Sequence, residues 1–484
     1  MKERRVIFLL WLALLAQGAV FALIQPVWSR VDEAQHFDFV QYLSENLSLP
    51  VEGKNFISKQ VVDISVESNQ WGWRPVGALS TPAYLDSASW QTLPDGLSDQ
   101  DQEKWLRRNL WRYNYEAMQP LLYYAVNTPV YAALPDDPFI KLYGMRLLAA
   151  LMASAMVPLA WLTAREIDPE NRLLVYGAPV VVLLTQGYAL NMSQITNDAL
   201  TVPLAAAAVL MFLRIVGRGV SYRRSLAAGA LIGAALLSKM TAIFLLPVVL
   251  VALAVLVYYR RETARCALAH AGIIYGVAAA IMAPWLAHNF AVYGDATGAS
   301  AARPLMSSFF ESPLTNFASL RLDELLPTFW FGEPVFPFAF WTYAWLAVGA
   351  AMSAAVLGLL FHYLMGDSAA SGTDAGAGEG AAGAGDGAAD RTQTPIARIK
   401  INFAVLAFVV GASVTVLIPF GSGIGGVPGR YLYPLLPLGA FLLLFGIERL
   451  LQRKRARFMV EVLLVWMFIW ESLNFLAYIQ NPGA

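Results

Sequence analysis

Apolar residues fall in blocks of about twenty along most of the chain, with short polar stretches between them. The first block, Val6–Ile24, is an almost unbroken apolar run of about the length that an α-helix needs to cross a bilayer. Such blocks predict spanning helices, because only helices and closed barrels satisfy their backbone polar groups in lipid. The predicted spans, about eleven in number, are 6–25, 142–164, 173–190, 198–215, 225–238, 241–259, 266–286, 337–363, 402–420, 431–448 and 458–478.

Basic residues between the blocks predict which end of each helix faces the cytoplasm. The chain begins with the basic segment Met1–Arg5, which places the N-terminus in the cytoplasm. Arginine and lysine residues also follow the second, fourth, sixth and tenth spans, and a count of eleven puts them all on the cytoplasmic side. Lys239 interrupts a continuous apolar stretch after Ser238, so a tight turn is predicted there on the outer side. A single span over 225–259 would break the alternation.

Two long segments then lie on the non-cytoplasmic side, at about 26–140 and 288–336. The first is rich in Trp, Tyr, Pro and acidic residues. Within it, the aromatic stretch Tyr115–Tyr124 predicts the beginning of an amphipathic piece that lies in the membrane interface. The alternative is a twelfth span, which Asn127, Pro129 and the sidedness argue against.

One segment of the chain has almost nothing to bury. Residues 366–396 are rich in Gly, Ala and Asp, which predicts a disordered cytoplasmic linker. The sequence therefore divides into an N-terminal membrane module over 1–365, this linker, and C-terminal transmembrane helices over 397–484.

Composition agrees with an all-α polytopic membrane protein and argues against several other classes. Hydrophobic residues make up 57% of the 484 residues and charged residues 14%, against roughly 25% charged residues in a soluble domain. The net charge is zero, so charge gives no argument for nucleic acid as a partner. The sequence contains no phosphate-binding loop, no GxGxxG motif and no zinc-type cysteine pair. The single cysteine, Cys266, excludes an internal disulfide framework.

Ionisable residues stand just past the first span. Asp32 and Glu33 are adjacent there, and His36 follows Asp32 by one helical turn. Ionisable groups at that depth are costly unless they face a cavity, so they indicate a functional site. The alternative is the ordinary polar start of a loop.

Further polar residues map to the same outer side of the membrane. A protein with a purely structural role would not require them to lie together there, so their grouping favours a functional site. An outward carboxylate can remove a proton from an incoming hydroxyl while cations stabilise a departing phosphate. Each residue also has a simpler interpretation: Arg430 as a headgroup anchor, and Lys239 as a turn residue. Asn197 or Asp198 would then cap a helix N-terminus. These further candidates are Gln119, Tyr123, Tyr124, Asn197, Asp198, Lys239, His288, Asp295, Arg430 and Tyr431.

Several short sequence blocks follow one another along the chain, and their order is informative. They are Asp32-Glu33-x-x-His36, Gln119–Tyr124, Asn197–Leu200, Leu237–Lys239, Pro284–Trp285 with Tyr293–Asp295, Phe329–Trp330 and Gly429–Pro434. Together they resemble the GT-C superfamily of integral-membrane glycosyltransferases, which includes protein O-mannosyltransferases and the aminoarabinose transferase that modifies lipid A. The nearer resemblance is to a related bacterial membrane family, domain of unknown function 2142. It extends over nearly the whole chain except the linker.

The resemblance implies a GT-C-like fold and a sugar donor carried on a polyprenyl phosphate that enters from the bilayer. It implies that Asp32 is the general base for the acceptor hydroxyl, and that a single displacement inverts the anomeric carbon. Glu33 would be its catalytic partner and position the acceptor or Asp32. Arg430 and Lys239 would hold the donor phosphate, and the other candidates would bind substrate. His288 stands where the family pattern often has arginine, which weakens a phosphate role there.

By the same resemblance, we expect a bacterial plasma-membrane protein whose active site faces the periplasm or exterior. The acceptor would be a hydroxyl of an envelope polysaccharide, lipid or protein, recognised by the two outer segments. Some GT-C enzymes use a divalent cation, for which Asp32, Glu33 and His36 offer oxygen and nitrogen ligands. The sequence shows no closed ligand set, so no metal-binding residue is assigned.

Three other functions stay open on the sequence. A transporter or flippase for lipid-linked saccharides would be expected to show broken helices and paired repeats near the membrane midplane. A ligase or polymerase would rely on an outer loop rich in arginine and histidine rather than on an early acidic pair. The third is a non-catalytic scaffold in envelope assembly.

Overall fold

The protein is helical through almost all of the part that the computed structural model describes, which is residues 2–28, 32–52, 54–68, 70–71, 74–75, 114–298, 322–332, 341–365, 396–422, 429–451 and 453–480. The helices are α1 (Lys2–Ile24), α2 (Glu33–Asn46), α3 (Lys59–Ser68), α4 (Leu122–Ala133), α5 (Pro138–Ser154), α6 (Met156–Ile167), α7 (Arg172–Leu183), α8 (Gln186–Met192), α9 (Asp198–Arg218), α10 (Tyr222–Ser238), α11 (Leu245–Tyr258), α12 (Ala264–Tyr293), α13 (Leu322–Phe331), α14 (Trp341–Met365), α15 (Ile396–Ser422), α16 (Leu436–Leu450) and α17 (Arg453–Gln480). Two 3-10 helices, Met240–Phe244 and Gly429–Leu435, precede α11 and α16. The short strands β1 (Gln70–Trp71) and β2 (Arg74–Pro75) pair antiparallel.

The prediction of an all-α polytopic membrane protein is confirmed, but the count of eleven spans is not. Within the described ranges, eight helical stretches are long and apolar enough to cross a membrane, or nine if α7 and α8 form one span. These two helices meet at a bend of 51°. The predicted fifth span, α10, has 17 residues and is therefore about 26 Å long, short of a hydrocarbon core of about 30 Å. The predicted last span, 458–478, lies within α17.

The aromatic segment before the second span is too short to cross the membrane. Its helix, α4, has 12 residues, which corresponds to about 18 Å. It packs against α2, and both helices share an aromatic core that includes Phe37, Tyr124 and Tyr131. The length favours the predicted interfacial piece over a twelfth span.

Close backbone contact joins α14 and α16. A β-carbon built on Gly358 would lie 1.7 Å from the carbonyl oxygen of Gly446, so no larger residue fits there. Small residues of this kind let helices approach closely in lipid, where van der Waals packing takes the place of the hydrophobic effect. The contact fixes α16, which continues directly from the 3-10 helix that carries Arg430.

Charged residues gather at the two ends of the helical bundle. At one end, Glu166 of α6 accepts hydrogen bonds from Arg218 at 2.6 Å and Lys400 at 2.9 Å. The opposite end contains the N-terminus of α9, the break between α10 and its 3-10 helix, and the segment that begins with Gly429. Most of the candidate residues are brought together at that second end. The predicted linker over 366–396 lies outside the described residues except for its last position, so the division into modules stays a prediction.

Candidate functional site

Asp32 stands immediately before α2 in a left-handed backbone conformation, with φ 74° and ψ 0°. Aspartate is among the few residues that tolerate this region. Its side chain makes no capping hydrogen bond to α2, although it occupies the capping position. Instead, the phenol of Tyr115 donates a hydrogen bond to Asp32 Oδ1. The carboxylate is therefore directed away from the helix that it precedes.

Glu33, the next residue, is paired on both of its carboxylate oxygens. Arg146 Nε donates to Oε1 at 2.8 Å and Arg146 NH2 donates to Oε2 at 2.7 Å. The backbone N–H of Ile195 adds a third hydrogen bond at 3.1 Å. The Arg146 and Glu33 side chains are 0% and 1% exposed. The geometry therefore favours the second implied role of Glu33, which is to hold the segment that carries Asp32, over contact with the acceptor.

Arg146 also ties the end of the first span to this pair. Its guanidinium donates to the backbone carbonyls of Ala22 at 3.2 Å, Gln25 at 2.9 Å and Pro26 at 2.7 Å. A buried arginine is stable only with such complete pairing, because an unpaired charge in a low-dielectric interior is very costly. Arg146 therefore joins the end of α1 to the first residue of α2.

Cations and a second acid lie beside Asp32. Lys239 Nζ donates to Asp198 Oδ1 at 2.8 Å, and the Lys239 ammonium lies 5.9 Å from the centre of the Tyr431 ring. The guanidinium of Arg430 lies 5.8 Å from the same ring. Asp198, Arg430 and Tyr431 also line one small cavity of about 10 Å³. The two cations thus share one aromatic surface, and Asp198 holds one of them.

The groups around Asp32 shift its pKa in opposite directions. Burial raises the pKa of Asp32, while the Tyr115 hydrogen bond and the positive charges of Arg430 and Lys239 lower it, with a net rise. Burial also raises the pKa of the neighbouring Glu116 well above its usual value, and the charge of Asp32 raises it further. A carboxyl group with a raised pKa whose ionisation is influenced by nearby cations is a candidate for proton transfer.

His36 lies on the same helix but within the aromatic core. Its Nδ1 is 2.9 Å from the hydroxyl of Tyr124, and its ring lies 6.3 Å from that of Tyr123. Burial lowers the pKa of His36 to about 3, so the ring is neutral at physiological pH. Tyr123 and Tyr124 are fully buried, so all three side chains belong to the aromatic core beside α2, and their predicted substrate contacts stay predictions.

Gln119 and Asn197 meet across the site. Asn197 Nδ2 donates to Gln119 Oε1 at 3.3 Å. Asn197 occupies the capping position of α9, yet its side chain makes no capping hydrogen bond. The contact joins the turn that carries Tyr115 and Glu116 to the helix that carries Asp198.

Two predicted residues lie apart from this group. Asp295 accepts hydrogen bonds from the N–H and the hydroxyl of Thr297, both at 2.9 Å, and so stabilises a local turn. His288 is half-buried near the end of α12. Within the described residues, no hydrogen bond or ion pair joins either of them to Asp32, Lys239 or Arg430. Their predicted substrate contacts stay predictions.

A divalent cation does not fit the three ligands that the sequence offered. Glu33 is occupied by Arg146 and His36 faces Tyr124, so their side chains do not converge with Asp32 on one point. Among the residues that the structure describes, no group of three His, Cys, Asp or Glu side chains has the arrangement of a metal site.

An apolar cavity of about 460 Å³ lies next to the segment that carries Arg430. Leu432, two residues after Arg430, lines it together with side chains from α13, α14, α15 and α16, such as Phe329, Met352, Phe408 and Leu436. Tyr433 connects the two regions, because its hydroxyl donates to the carbonyl oxygen of Phe329 at 3.0 Å. A charged site and an apolar cavity therefore adjoin on one short helix.

Sequence reasoning missed two residues of the site. Arg146 lies within the predicted span 142–164, and a charged residue inside a span is itself a signal of function or pairing. Tyr115 was noted only as the start of an aromatic stretch, and nothing local to it indicates a contact 83 residues away in sequence.

Comparisons with known proteins give one family and several distant structures. Residues 15–439, from within α1 to within α16, match a family described as a predicted membrane protein, DUF2142. Curated proteins gave no match. Among solved structures, the chain is similar to ArnT from Cupriavidus metallidurans bound to undecaprenyl phosphate, with 12% identity, TM-score 0.36, and coverage of 93% of this chain and 78% of ArnT. It is also similar to the apo oligosaccharyltransferase of Archaeoglobus fulgidus, with 12% identity, TM-score 0.49, and coverage of 98% of this chain and 56% of that one.

Proposed function

The chain belongs to the DUF2142 family of membrane proteins, and we propose that it is a membrane glycosyltransferase that moves a sugar from a polyprenyl-phosphate donor to a hydroxyl of an envelope acceptor. The observation that carries this proposal is the cluster in which the Lys239 and Arg430 side chains lie 5.9 Å and 5.8 Å from the Tyr431 ring, with their positive charges acting on Asp32. Proton removal and charge neutralisation at a leaving phosphate are the two requirements of such a transfer.

The mechanism that we infer is a single displacement. The acceptor hydroxyl donates its proton to Asp32 as its oxygen attacks the anomeric carbon of the donor. The bond between that carbon and the phosphate oxygen breaks, and its electron pair leaves with the polyprenyl phosphate. Attack opposite the leaving group inverts the anomeric carbon. Arg430 and Lys239 stabilise the charge that develops on the phosphate.

Asp198 has a supporting part in this mechanism. Its carboxylate holds Lys239 by a hydrogen bond of 2.8 Å, which fixes the ammonium at low entropic cost when the donor arrives. The cavity beside Arg430 and Tyr431 has a volume of only about 10 Å³, room for about one water molecule.

The apolar cavity supports a lipid carrier rather than a nucleotide sugar. It begins at Leu432, beside the proposed phosphate position, and is lined by apolar side chains, most of them from the candidate spanning helices α14, α15 and α16. A prenyl chain already lies in hydrocarbon, so such a space would hold it by van der Waals packing rather than by transfer from water. We place the reaction on the non-cytoplasmic side, because the basic residues near Glu166 lie at the other end of the bundle.

The test uses the full-length protein in lipid nanodiscs with a panel of radiolabelled polyprenyl-phosphate hexoses and pentoses. Binding of unlabelled undecaprenyl phosphate is measured first, for the wild type and for Arg430→Ala. We expect Arg430→Ala to weaken binding by about 10- to 100-fold, since a hydrogen bond to a charged group contributes about 1.5–3 kcal/mol. Arg449→Ala, at the other end of the same helical unit and exposed, is the matched control and should bind normally. Equal binding by both variants would contradict the phosphate role.

A transporter of lipid-linked saccharides is the second candidate, because the bend between α7 and α8 is the kind of broken helix that such proteins use. The same protein in liposomes separates the two functions. Movement of a labelled lipid-linked sugar across the bilayer, with no transfer to any acceptor in a membrane extract, would favour transport. Transfer without movement supports the glycosyltransferase.

A further inference from the structure

Tyr115 is the one side chain within the described residues that forms a hydrogen bond with Asp32. It donates to Oδ1, and Oδ2 has no hydrogen-bond partner in the described part of the chain. A general base needs one oxygen held in place and the other available to the reacting hydroxyl. The contact with Tyr115 holds Oδ1 and leaves Oδ2 available to the acceptor hydroxyl.

We propose that Tyr115 is a positioning residue, whose phenol orients Asp32 and stabilises its ionised form so that Oδ2 can accept the proton of the acceptor hydroxyl. The role rests on the glycosyltransferase function proposed above. A phenol suits it, because a neutral donor stabilises a carboxylate without forming the ion pair that a lysine or arginine would form.

The local structure holds Tyr115 at this point. Asn114 Nδ2 donates to the carbonyl oxygen of Gln35 at 3.0 Å and to Asp38 Oδ2 at 2.9 Å, so the turn is fastened to α2 directly before Tyr115. The backbone of Asp32 is held in its left-handed conformation at the start of the same helix. Donor and acceptor are thus both attached to α2.

Several charged groups influence the ionisation of Asp32 together with Tyr115. The groups that act on its ionisation, besides Tyr115, are Arg430 on the second 3-10 helix, Lys239 after α10, Asp198 on α9 and Glu116 beside Tyr115. Burial, and then the charge of Asp32, raise the pKa of Tyr115 well above its usual value. The phenol therefore keeps its proton throughout the working pH range and remains a donor.

The sign of the effect on activity follows from these contacts. The base works only when Asp32 is ionised, so transfer falls as pH falls through the pKa of Asp32. Removing the phenol removes an influence that lowers this pKa, so the acid limb of the activity profile should move to higher pH. A charge-assisted hydrogen bond corresponds to a shift of roughly one pH unit.

The experiment compares Tyr115→Phe with the wild type in nanodiscs by two measurements. Infrared difference spectroscopy titrates the Asp32 carboxyl group directly, with Asp32→Asn as the subtraction reference. Sugar transfer is followed across the same pH range. We expect both profiles of Tyr115→Phe to move up by about one pH unit, with transfer recovering to within a few-fold of the wild type at high pH. Tyr131→Phe, whose lost hydroxyl donates to Gln60 at 2.9 Å, should leave both profiles in place.

A substitution of opposite sign completes the test. Fluorotyrosine at position 115 is a stronger hydrogen-bond donor with unchanged packing, so the acid limb should move to lower pH. An equal loss of transfer at every pH in Tyr115→Phe, with the Asp32 titration unmoved, would overturn the positioning role and leave a purely structural one. If the Asp32 titration shifts in Tyr115→Phe but the wild-type protein transfers no sugar, the proposed glycosyltransferase function is overturned. The contact between Tyr115 and Asp32 would then have no role in catalysis.

Discussion

Asp32 and Glu33 are adjacent in sequence, yet their carboxylates lie in opposite kinds of environment. Glu33 forms a two-point ion pair with Arg146 and accepts a third hydrogen bond from the backbone of Ile195. Among the residues that the structure describes, Asp32 has one neutral donor, Tyr115, and two cations that act on it without a direct hydrogen bond. Within that part of the chain, the Glu33 carboxylate is saturated and the Asp32 carboxylate is only partly satisfied.

The difference teaches how one acidic pair serves two purposes. A buried ion pair stabilises a structure mainly by being costly to break, so Glu33 and Arg146 hold the start of α2 against the end of α1. A carboxylate that is desolvated and incompletely paired has a raised proton affinity, which suits it to proton transfer. In the mechanism that we propose, Glu33 therefore holds Asp32 in place and Asp32 accepts the proton.

The largest expected effect comes from breaking the saturated pair. Glu33→Ala leaves the guanidinium of Arg146, which is 0% exposed, without its carboxylate. We expect the free energy of unfolding to fall by about 3–5 kcal/mol, the usual cost of an uncompensated buried charge. Thermal unfolding in detergent measures this loss. The double variant Glu33→Leu with Arg146→Leu removes both charges and should recover most of the stability. A double variant as unstable as Glu33→Ala would contradict this account of the pair.

A smaller effect is expected at the cations near Asp32. Lys239→Met removes the ammonium that Asp198 holds, and we expect the KM for a polyprenyl-phosphate donor to rise by about 10- to 100-fold. Lys141→Met is the matched control, since Lys141 makes an ion pair of nearly the same length with Asp136, 2.7 Å against 2.8 Å for Lys239 with Asp198. Asp136 is 93% exposed whereas Asp198 is 8% exposed, so the control pair contributes little. A KM that rises equally in both variants would show that the effect is not specific to the site.

Much of the fold could be predicted from hydrophobic periodicity. Apolar blocks such as 198–215 and 266–286 coincide with helices because the membrane leaves the backbone few alternatives. The break at Lys239 was also predicted, and the structure has extended backbone there between α10 and a 3-10 helix. The number of spans could not be settled, because α10 and the bent pair α7–α8 are at the limit of spanning length.

The candidate site was only partly accessible to the sequence. The grouping of Asp32 with Asp198, Lys239 and Arg430 followed from topology, which brings helix ends to one face. The identity of each partner did not follow, because pairs such as Glu33 with Arg146 are separated by 113 residues and are chosen by packing. Sequence position alone does not distinguish Asp32 from Glu33; the family resemblance implies different roles for them, and the tertiary contacts show that their surroundings differ.

The measurement that tests the central claim most directly compares Asp32→Asn with Glu33→Gln for stability and transfer in the same nanodisc preparation. Asparagine tolerates the left-handed backbone at position 32, so we expect Asp32→Asn to unfold at the wild-type temperature and to lose about 10²- to 10⁴-fold in transfer rate. Glu33→Gln should unfold at a clearly lower temperature, while its folded fraction keeps measurable transfer. Near-normal transfer by Asp32→Asn, with the folded fraction of Glu33→Gln inactive, would contradict the assignment of base and support.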